Sequence, residues 1–266
     1  TKYVVGGLFS TIAIITLIVF IVSAGTKTVT LNVYNWGEYI SDGSEDSFDT
    51  NSAFEEYYEK LHYEKYGEKI KVQVNYTTYA SNEDLYAKLK SGASGYDVII
   101  PSDYMIERLK ADGLIQPLNL NNIPNYENIE EQFRNPFYDS DPEVKYTAMY
   151  TYGIIGIIYN SEKMDPADLE RIENGEAGWE LLWDEKYAGQ ILQFNNARDA
   201  FGTAMYALGI DVNNATEAEW KLAFEKLKAQ KPLVQSYVMD EIYNKMESGE
   251  ATLAAYYAGD CLSMIA

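Results

Sequence analysis

The run Tyr96-Asp97-Val98-Ile99-Ile100-Pro101 is apolar almost without a break. A strand with one covered face alternates apolar and polar residues. A continuous apolar run needs cover on both faces, which is the pattern of parallel sheets flanked by helices. Parallel strands in turn need crossover connections, most often helical. The surrounding sequence supplies them. Ile70, Val72, Val74 and Tyr76 alternate with polar residues as a strand. Ser81 with Asp84 opens a helix that buries Leu85 and Leu89 and ends near Gly92. Ser102 caps a further helix, which runs to Asp112-Gly113. Upstream, Val29, Leu31 and Val33 alternate with Thr28, Thr30 and Asn32 as a half-buried strand. A helix over 52–66 then places Phe54, Tyr58 and Leu61 on one face before Gly67 ends it. Strands alternating with short helices define the α/β class.

Downstream, residues 116–146 are rich in Asn and Pro and read as an extended connection. Residues 149–159 form a second apolar stretch interrupted by Gly153 and Gly156, and Gly153 marks a crossing between two lobes. A helical turn over 179–183, a strand over 190–194 and a helix over 197–208 ended by Gly209 follow. Thr216 and Glu219 form a capping box, with Trp220, Phe224 and Leu227 on the face behind it. A helix over 240–246 and a strand over 251–257 complete the pattern. The division expected is an anchor and linker over 1–27, a first α/β lobe over 28–152 and a second, incomplete α/β lobe over 153–266.

Residues 3–24 carry no charge. A membrane-spanning helix needs roughly 20 apolar residues, whereas the core of a cleaved signal is about 7–15. The segment therefore reads as one retained transmembrane helix. Lys2 and Lys27 flank it evenly, so its orientation is not set by charge. The chain starts at Thr1 rather than Met. The expectation is that something precedes it, which extends to a permease fused upstream as one polypeptide. At the other end, residues 261–266 are apolar with no cap or turn signal, and read as a cut inside a fold.

The composition removes whole classes of function. With 21 basic against 41 acidic residues the net charge is −20, which argues against nucleic acid, whose phosphates must be met by Lys and Arg. One cysteine, Cys261, and one histidine, His62, leave neither an intrachain disulfide nor a metal-ligand cluster. No phosphate-binding glycine loop and no Gly-x-Ser-x-Gly elbow is present. No enzyme, cofactor or metal site is expected.

What remains is a set of positions that follow strands. Tyr34-Asn-Trp-Gly-Glu-Tyr39 places an indole, a carboxylate and a phenol at the end of the first strand. Ser102 and Tyr104 follow Pro101, Asn196 and Asp199 follow Phe194, and Tyr257 with Asp260 ends the last strand. In open α/β sheets ligands bind beyond the carboxyl ends of the strands. Aromatic faces with carboxylates suit a cation with an apolar body. Read alone, each group is equally an aromatic plug at a strand end. Glu83 and Asp84 read as helix-start charges favoured by the macrodipole.

From Val29 onward the chain resembles the spermidine/putrescine-binding proteins, the substrate-binding components of polyamine ABC importers. The stretches that carry the resemblance are Tyr34–Tyr39, Thr78-Tyr-Ala-Ser-Asn-Glu83, Leu85-Tyr-Ala-Lys-Leu-Lys90 and Tyr96–Ser102. Tyr152-Gly-Ile-Ile-Gly156, Trp179-Glu-Leu-Leu-Trp183 and Ala197-Arg-Asp199 extend it in the same order. The resemblance implies a two-lobed periplasmic-binding-protein fold of type II, whose lobes close over an extended polyamine. It assigns ligand contacts to Trp36, Gly37, Glu38, Tyr39, Ser102, Tyr104, Asn196, Asp199, Ser236 and Tyr257. Departures are visible. Gly37 replaces a threonine or similar residue, Asn196 stands where an aspartate is common, Asp199 where a glutamate is common, and Tyr257 where a tryptophan is common. The match at Ser236 is weak because of a length difference before Gly249. The segment 42–66 is longer than the pattern. The reading is an extracytoplasmic receptor, held at the cell membrane, that captures spermidine or putrescine in an interlobe cleft and delivers it to an ABC permease and its ATPase. Its alternatives are a receptor of the same fold for another cationic or small solute, and an anchored surface or sensing protein with a degenerate cleft.

Overall fold

The structure, a computed structural model, describes residues 26–92 and 95–265. The apolar run 3–24, and with it the expected membrane helix, lies outside these residues. Among the described residues no helix is long and apolar enough to cross a membrane. They fall into two compact units, those of Thr1–Thr78 with Ser94–Ile100, and those of Tyr79–Ala93 with Pro101–Ala266. Residues 101–152 thus pack with the second unit.

The first unit holds a three-stranded sheet with β1 (Lys27–Trp36) between β2 (Ile70–Tyr79) and β3 (Val98–Ile99). β1 and β3 run parallel, with Val33 opposite Val98 and Tyr34 opposite Ile99. The parallel pairing expected of the apolar run is present, but only two residues pair. The strand lies at the sheet edge with Val98 42% exposed, not covered on both faces. Burial in β1 also departs from simple alternation, because the adjacent Tyr34 and Asn35 are both buried. Tyr34 stacks on Tyr96 at 4.5 Å, while Asn35 finds polar partners. In β2 the alternation holds, with Ile70 and Val72 inside.

Helix α1 (Thr50–Tyr66) starts where Asp49 accepts from the Ser52 N–H at 2.9 Å and stops at Gly67, whose φ of +70° few other residues tolerate. Its expected buried face is not buried: Phe54, Tyr58 and Leu61 are all at least 37% exposed. The helix fastens itself by carboxylates instead. Glu55 accepts from the Val74 N–H at 2.7 Å and Glu59 from the Val72 N–H at 2.8 Å. The spacing makes this possible. Four helical residues rise about 6 Å, and two strand residues about 6.7 Å. Two free N–H groups of the edge strand β2 are thereby covered, which removes a template for strand addition.

The second unit begins with α2 (Asn82–Lys90), capped by the Ser81 hydroxyl on the Asp84 N–H at 3.1 Å, and α3 (Asp103–Ala111). Ser102 occupies the cap position of α3, but its hydroxyl makes no cap bond. The Asn- and Pro-rich connection contains short turns and α4 (Glu131–Arg134). Asp139 holds it in place. This wholly buried carboxylate accepts from Lys110 Nζ at 3.0 Å, from the Tyr146 and Thr147 N–H groups at 2.9 Å each, and from the Thr147 hydroxyl at 2.8 Å. A four-stranded sheet follows in the order β4 (Ile155–Tyr159), β7 (Leu253–Tyr257), β5 (Ile191–Phe194), β6 (Val234–Val238). β4 is antiparallel to β7, and the remaining pairs are parallel. β5 is buried throughout and forms the centre of the core with β7. Around the sheet run α5 (Pro166–Glu173), α6 (Ala197–Leu208), α7 (Glu217–Gln230), α8 (Ile242–Glu247) and α9 (Cys261–Ile265). The capping box of α7 is present. Its buried face, however, is Ala223 and Gln230 with Leu227 partly covered, while Trp220 and Phe224 are 40% and 50% exposed. Ala223 packs with Ala204 and Met205 of α6, and small side chains let the two helices approach closely.

Two expectations follow. Burial alone would raise the Asp139 pKa, but the Tyr146 N–H, Lys110 and Thr147 outweigh it and hold the pKa below the ordinary value. A folded pKa below the unfolded one stabilises above about pH 4 and is lost as pH falls through the folded value. Asp139→Asn should cost about 2–4 kcal/mol at neutral pH and flatten the acid limb of stability, read by denaturant titration across pH. Replacing Glu55 and Glu59 together with Ala should uncover β2 and raise self-association, read by sedimentation. An unchanged monomer would mean that the edge needs no cover.

Candidate functional site

Parallel strands end at the same side of a sheet, so β5 and β7 deliver their C-terminal residues to one place. Asn196 and Asp199 follow β5 at the start of α6, and Tyr257 ends β7. The Tyr257 hydroxyl donates to Asp199 Oδ2 at 2.8 Å. Asp199 Oδ1 accepts from Arg198 Nε at 3.0 Å. Arg198 also pairs with Asp103 at the start of α3, and its guanidinium carbon lies 5.1 Å from the centre of the Tyr104 ring. The Tyr104 hydroxyl is 3.1 Å from Glu83 Oε1 and 3.4 Å from Asn196 Oδ1. Two tyrosine rings, three carboxylates and one guanidinium thus form a continuous wall within the second unit.

The electrostatics follow from burial. Asp199 is 6% exposed and Asn196 1%. Burial pushes the Tyr104 hydroxyl pKa well above its ordinary value. The Glu83 carboxylate adds to the shift. Burial and the Asp199 carboxylate raise Tyr257 likewise, so both phenols stay neutral donors. For Arg198 burial opposes the charge, but the carboxylates of Asp199 and Asp103 win and raise its pKa. Asp260 is raised by burial, with a bond to Tyr243 acting against it. The amide nitrogens of Asn82 and Asn196 are buried and make no hydrogen bond. Asn82 spends its oxygen on the Ser102 N–H at 3.2 Å. Both sites present donors without acceptors beside Tyr104, which costs free energy unless something accepts from them.

Ser102 therefore joins this wall through its backbone. Ser236 does not: it sits in mid-strand on β6 opposite Leu192. Sequence reading passed over Arg198 and Asp103 as site residues and took Glu83 as a helix-start charge. The only sequence signal for Arg198 was its place between Ala197 and Asp199.

The stretch from Tyr34 to Tyr39 belongs to the first unit. β1 ends at Trp36, and Gly37 and Glu38 make the turn. Asn35 fixes the approach: its Oδ1 accepts from the Trp36 N–H and its Nδ2 donates to the Tyr76 hydroxyl, each at 2.8 Å. Trp36, Gly37 and Tyr39 are partly exposed and Glu38 is exposed. Glu38 has φ +46°, a left-handed conformation that costs a residue with a side chain about 1–2 kcal/mol. Such strain persists where the surroundings over-determine it, often at ligand sites. Among the described residues no group of three or more His, Cys, Asp and Glu is placed to hold a metal ion.

A family model described as bacterial extracellular solute-binding protein matches residues 94–263, and the chain belongs to that family. A model described as hypothetical lipoprotein (MG045 family) matches residues 39–135. The chain is similar to the spermidine/putrescine-binding periplasmic protein of Salmonella typhimurium, at 30% identity over 232 residues, 86% of this chain and 59% of that one. The TpPotD lipoprotein of Treponema pallidum superposes with a TM-score of 0.64 at 27% identity, over 89% of this chain and 66% of that one. The spermidine/putrescine ABC transporter substrate-binding protein PotD of Streptococcus pneumoniae superposes with a TM-score of 0.56 at 29% identity, over 89% and 64%. The chain spans less than two thirds of the length of these relatives. The two-sheet fold is that of periplasmic binding proteins.

Tyr257→Phe removes the donor to Asp199 and keeps the ring against Phe194 and Tyr256, 5.3 and 5.0 Å away. A hydrogen bond to a charged group contributes about 1.5–3 kcal/mol, so the variant should lose that much in denaturant unfolding. Unchanged stability would show that Asp199 does not depend on this donor.

Proposed function

We propose that this chain is the solute-capturing receptor of a polyamine ABC importer. The observation that carries the reading is the wall formed by Tyr104, Tyr257, Asp199 and Glu83 in a chain similar to spermidine/putrescine-binding proteins. A polyamine is a row of ammonium groups joined by methylenes. Carboxylates must meet the charges, because an unpaired charge is costly to bury. Aromatic faces cover the methylenes and attract the cation at once. The receptor does no chemistry. It is held at the extracytoplasmic face of the cell membrane by residues 3–24 and passes its ligand to a permease driven by an ATPase.

A second reading is supported by Asn82 and Asn196. Their buried amide nitrogens are donors, and a plain polyamine has no acceptor to offer them. A solute carrying both an ammonium group and an oxygen, such as an acylated diamine, matches both halves of the wall. Calorimetry with putrescine, spermidine, N-acetylputrescine and a neutral polyol separates the two readings. Binding of the polyol alone would sink both.

Glu38 and Trp36 are proposed to contact the ligand in different ways. Glu38→Gln keeps the shape and removes the charge, which should weaken every diamine and triamine by about 1.5–4 kcal/mol. Trp36→Ala should lose apolar contact and a cation–π contribution of about 0.5–2 kcal/mol. Both variants should stay folded, because these residues stand at a strand end. Titration calorimetry against putrescine, spermidine and a neutral analogue reads the contrast. Unchanged polyamine affinity in folded Glu38→Gln would leave the carboxylate as surface decoration.

A further inference from the structure

Among the described residues three carboxylates are buried, Asp139, Asp168 and Asp199. Asp139 accepts four hydrogen bonds. Asp168 accepts three, from Arg171 on one oxygen and from Lys186 and Tyr187 on the other. Asp199 accepts two, one on each oxygen. A carboxylate has about four acceptor positions, so both oxygens of Asp199 keep capacity for a further donor. The cation beside it is also differently held. Lys110 reaches a carboxylate with no exposure. The Arg198 side chain is 38% exposed, and its second partner Asp103 is 36% exposed. One face of the guanidinium lies over the Tyr104 ring. Two carboxylates and an aromatic face are also what an alkylammonium group requires.

We propose that Arg198 is a resident counter-cation of an ammonium subsite, competing with an incoming amine for Asp199 and Asp103 and so setting affinity and charge selectivity. The identity of the competitor rests on the polyamine reading. The existence of an exchangeable cation position does not. Arg198 differs in this from a residue that merely orients Asp199, and the two roles predict opposite signs. An orienting residue strengthens ligand binding, so its loss weakens the complex. A competitor opposes binding, so its loss tightens the complex while the free protein is destabilised by the carboxylates it leaves behind.

The test uses the full chain with Arg198→Gln and Arg198→Ala. Calorimetry should show Arg198→Gln binding putrescine on the order of tenfold more tightly than the unmodified protein, the scale of one partly screened unit charge, with a larger gain for spermidine. Thermal melts should show Arg198→Ala lowered without additive and raised by millimolar methylguanidinium, while the unmodified protein is not shifted and 1-propanol restores nothing. Weaker or unchanged polyamine binding by Arg198→Gln overturns the proposal, as does a folded Arg198→Ala that methylguanidinium does not stabilise. If Arg198→Ala fails to fold, Arg198→Lys takes its place in the calorimetry. It keeps the charge without the fork, and its affinity should fall between those of the unmodified protein and Arg198→Gln; affinity below the unmodified protein's overturns the proposal. If neither the unmodified protein nor Arg198→Gln binds any polyamine and methylguanidinium still rescues Arg198→Ala, the polyamine reading fails and the resident cation stands.

Discussion

A carboxylate taken out of water must find a cation or a set of donors, at a penalty of several kcal/mol if it does not. In a chain with twice as many acidic as basic residues that demand shapes the second unit. Asp139 ties the irregular connection to α3 through Lys110. Asp168 ties α5 to the turn at 185–187 through Lys186 and Tyr187. Asp199 ties the start of α6 to the end of β7 through Tyr257, and through Arg198 to the start of α3. The Asp139 and Asp168 clusters fasten irregular segments, and the Asp199 cluster joins a helix start to a strand end.

Topology decides which of these clusters stands at the strand ends. β5, β6 and β7 are parallel, so whatever follows them gathers at one edge of the sheet. The helix that leaves β5 presents its N-terminus there, and Asp199 in its first turn is favoured by the dipole. Asp139 lies on the irregular connection and Asp168 in α5, and each accepts more hydrogen bonds than Asp199.

Local chemistry was legible in the sequence, and burial only in part: Leu85, Ile70 and Val72 are buried as the pattern expects. The cap at Ser81, the box at Thr216 and Glu219, and the glycine stop of α6 depend on residues within a few positions, and all are present. Which side of a helix is covered depends on distant chain. Phe54, Tyr58 and Leu61 share a face as the spacing requires, yet the helix docks through Glu55 and Glu59 instead. Trp220 and Phe224 lose the core to Ala223, because close helix approach favours the small side chain. β6 was missed because Ser236 interrupts the apolar period between Val234 and Val238. The strand-end rule singled out Tyr104, Asn196, Asp199 and Tyr257 as candidates, and the structure brings these side chains together. It could not find Arg198, since neighbouring helix positions do not face each other and only the length of the side chain brings Nε back to Asp199.

The asparagine at 196 belongs to the same electrostatic logic. The resemblance puts an aspartate at this position. Here Asp103 and Asp199 share one guanidinium and Glu83 meets only the Tyr104 hydroxyl among the described residues, leaving two negative charges along the wall. A further carboxylate at a position 1% exposed would need its own donor, and the Tyr104 hydroxyl, the one side chain among the described residues that donates to position 196, already serves Glu83. With asparagine the wall carries as much uncompensated charge as a diamine brings. The side chain also trades a charge for a donor, Nδ2, that finds no acceptor among the described residues. On the proposed polyamine reading, charge count and donor pattern are set by separate residues, so substitution at 196 should change which amine is accepted and leave Asp199 in place.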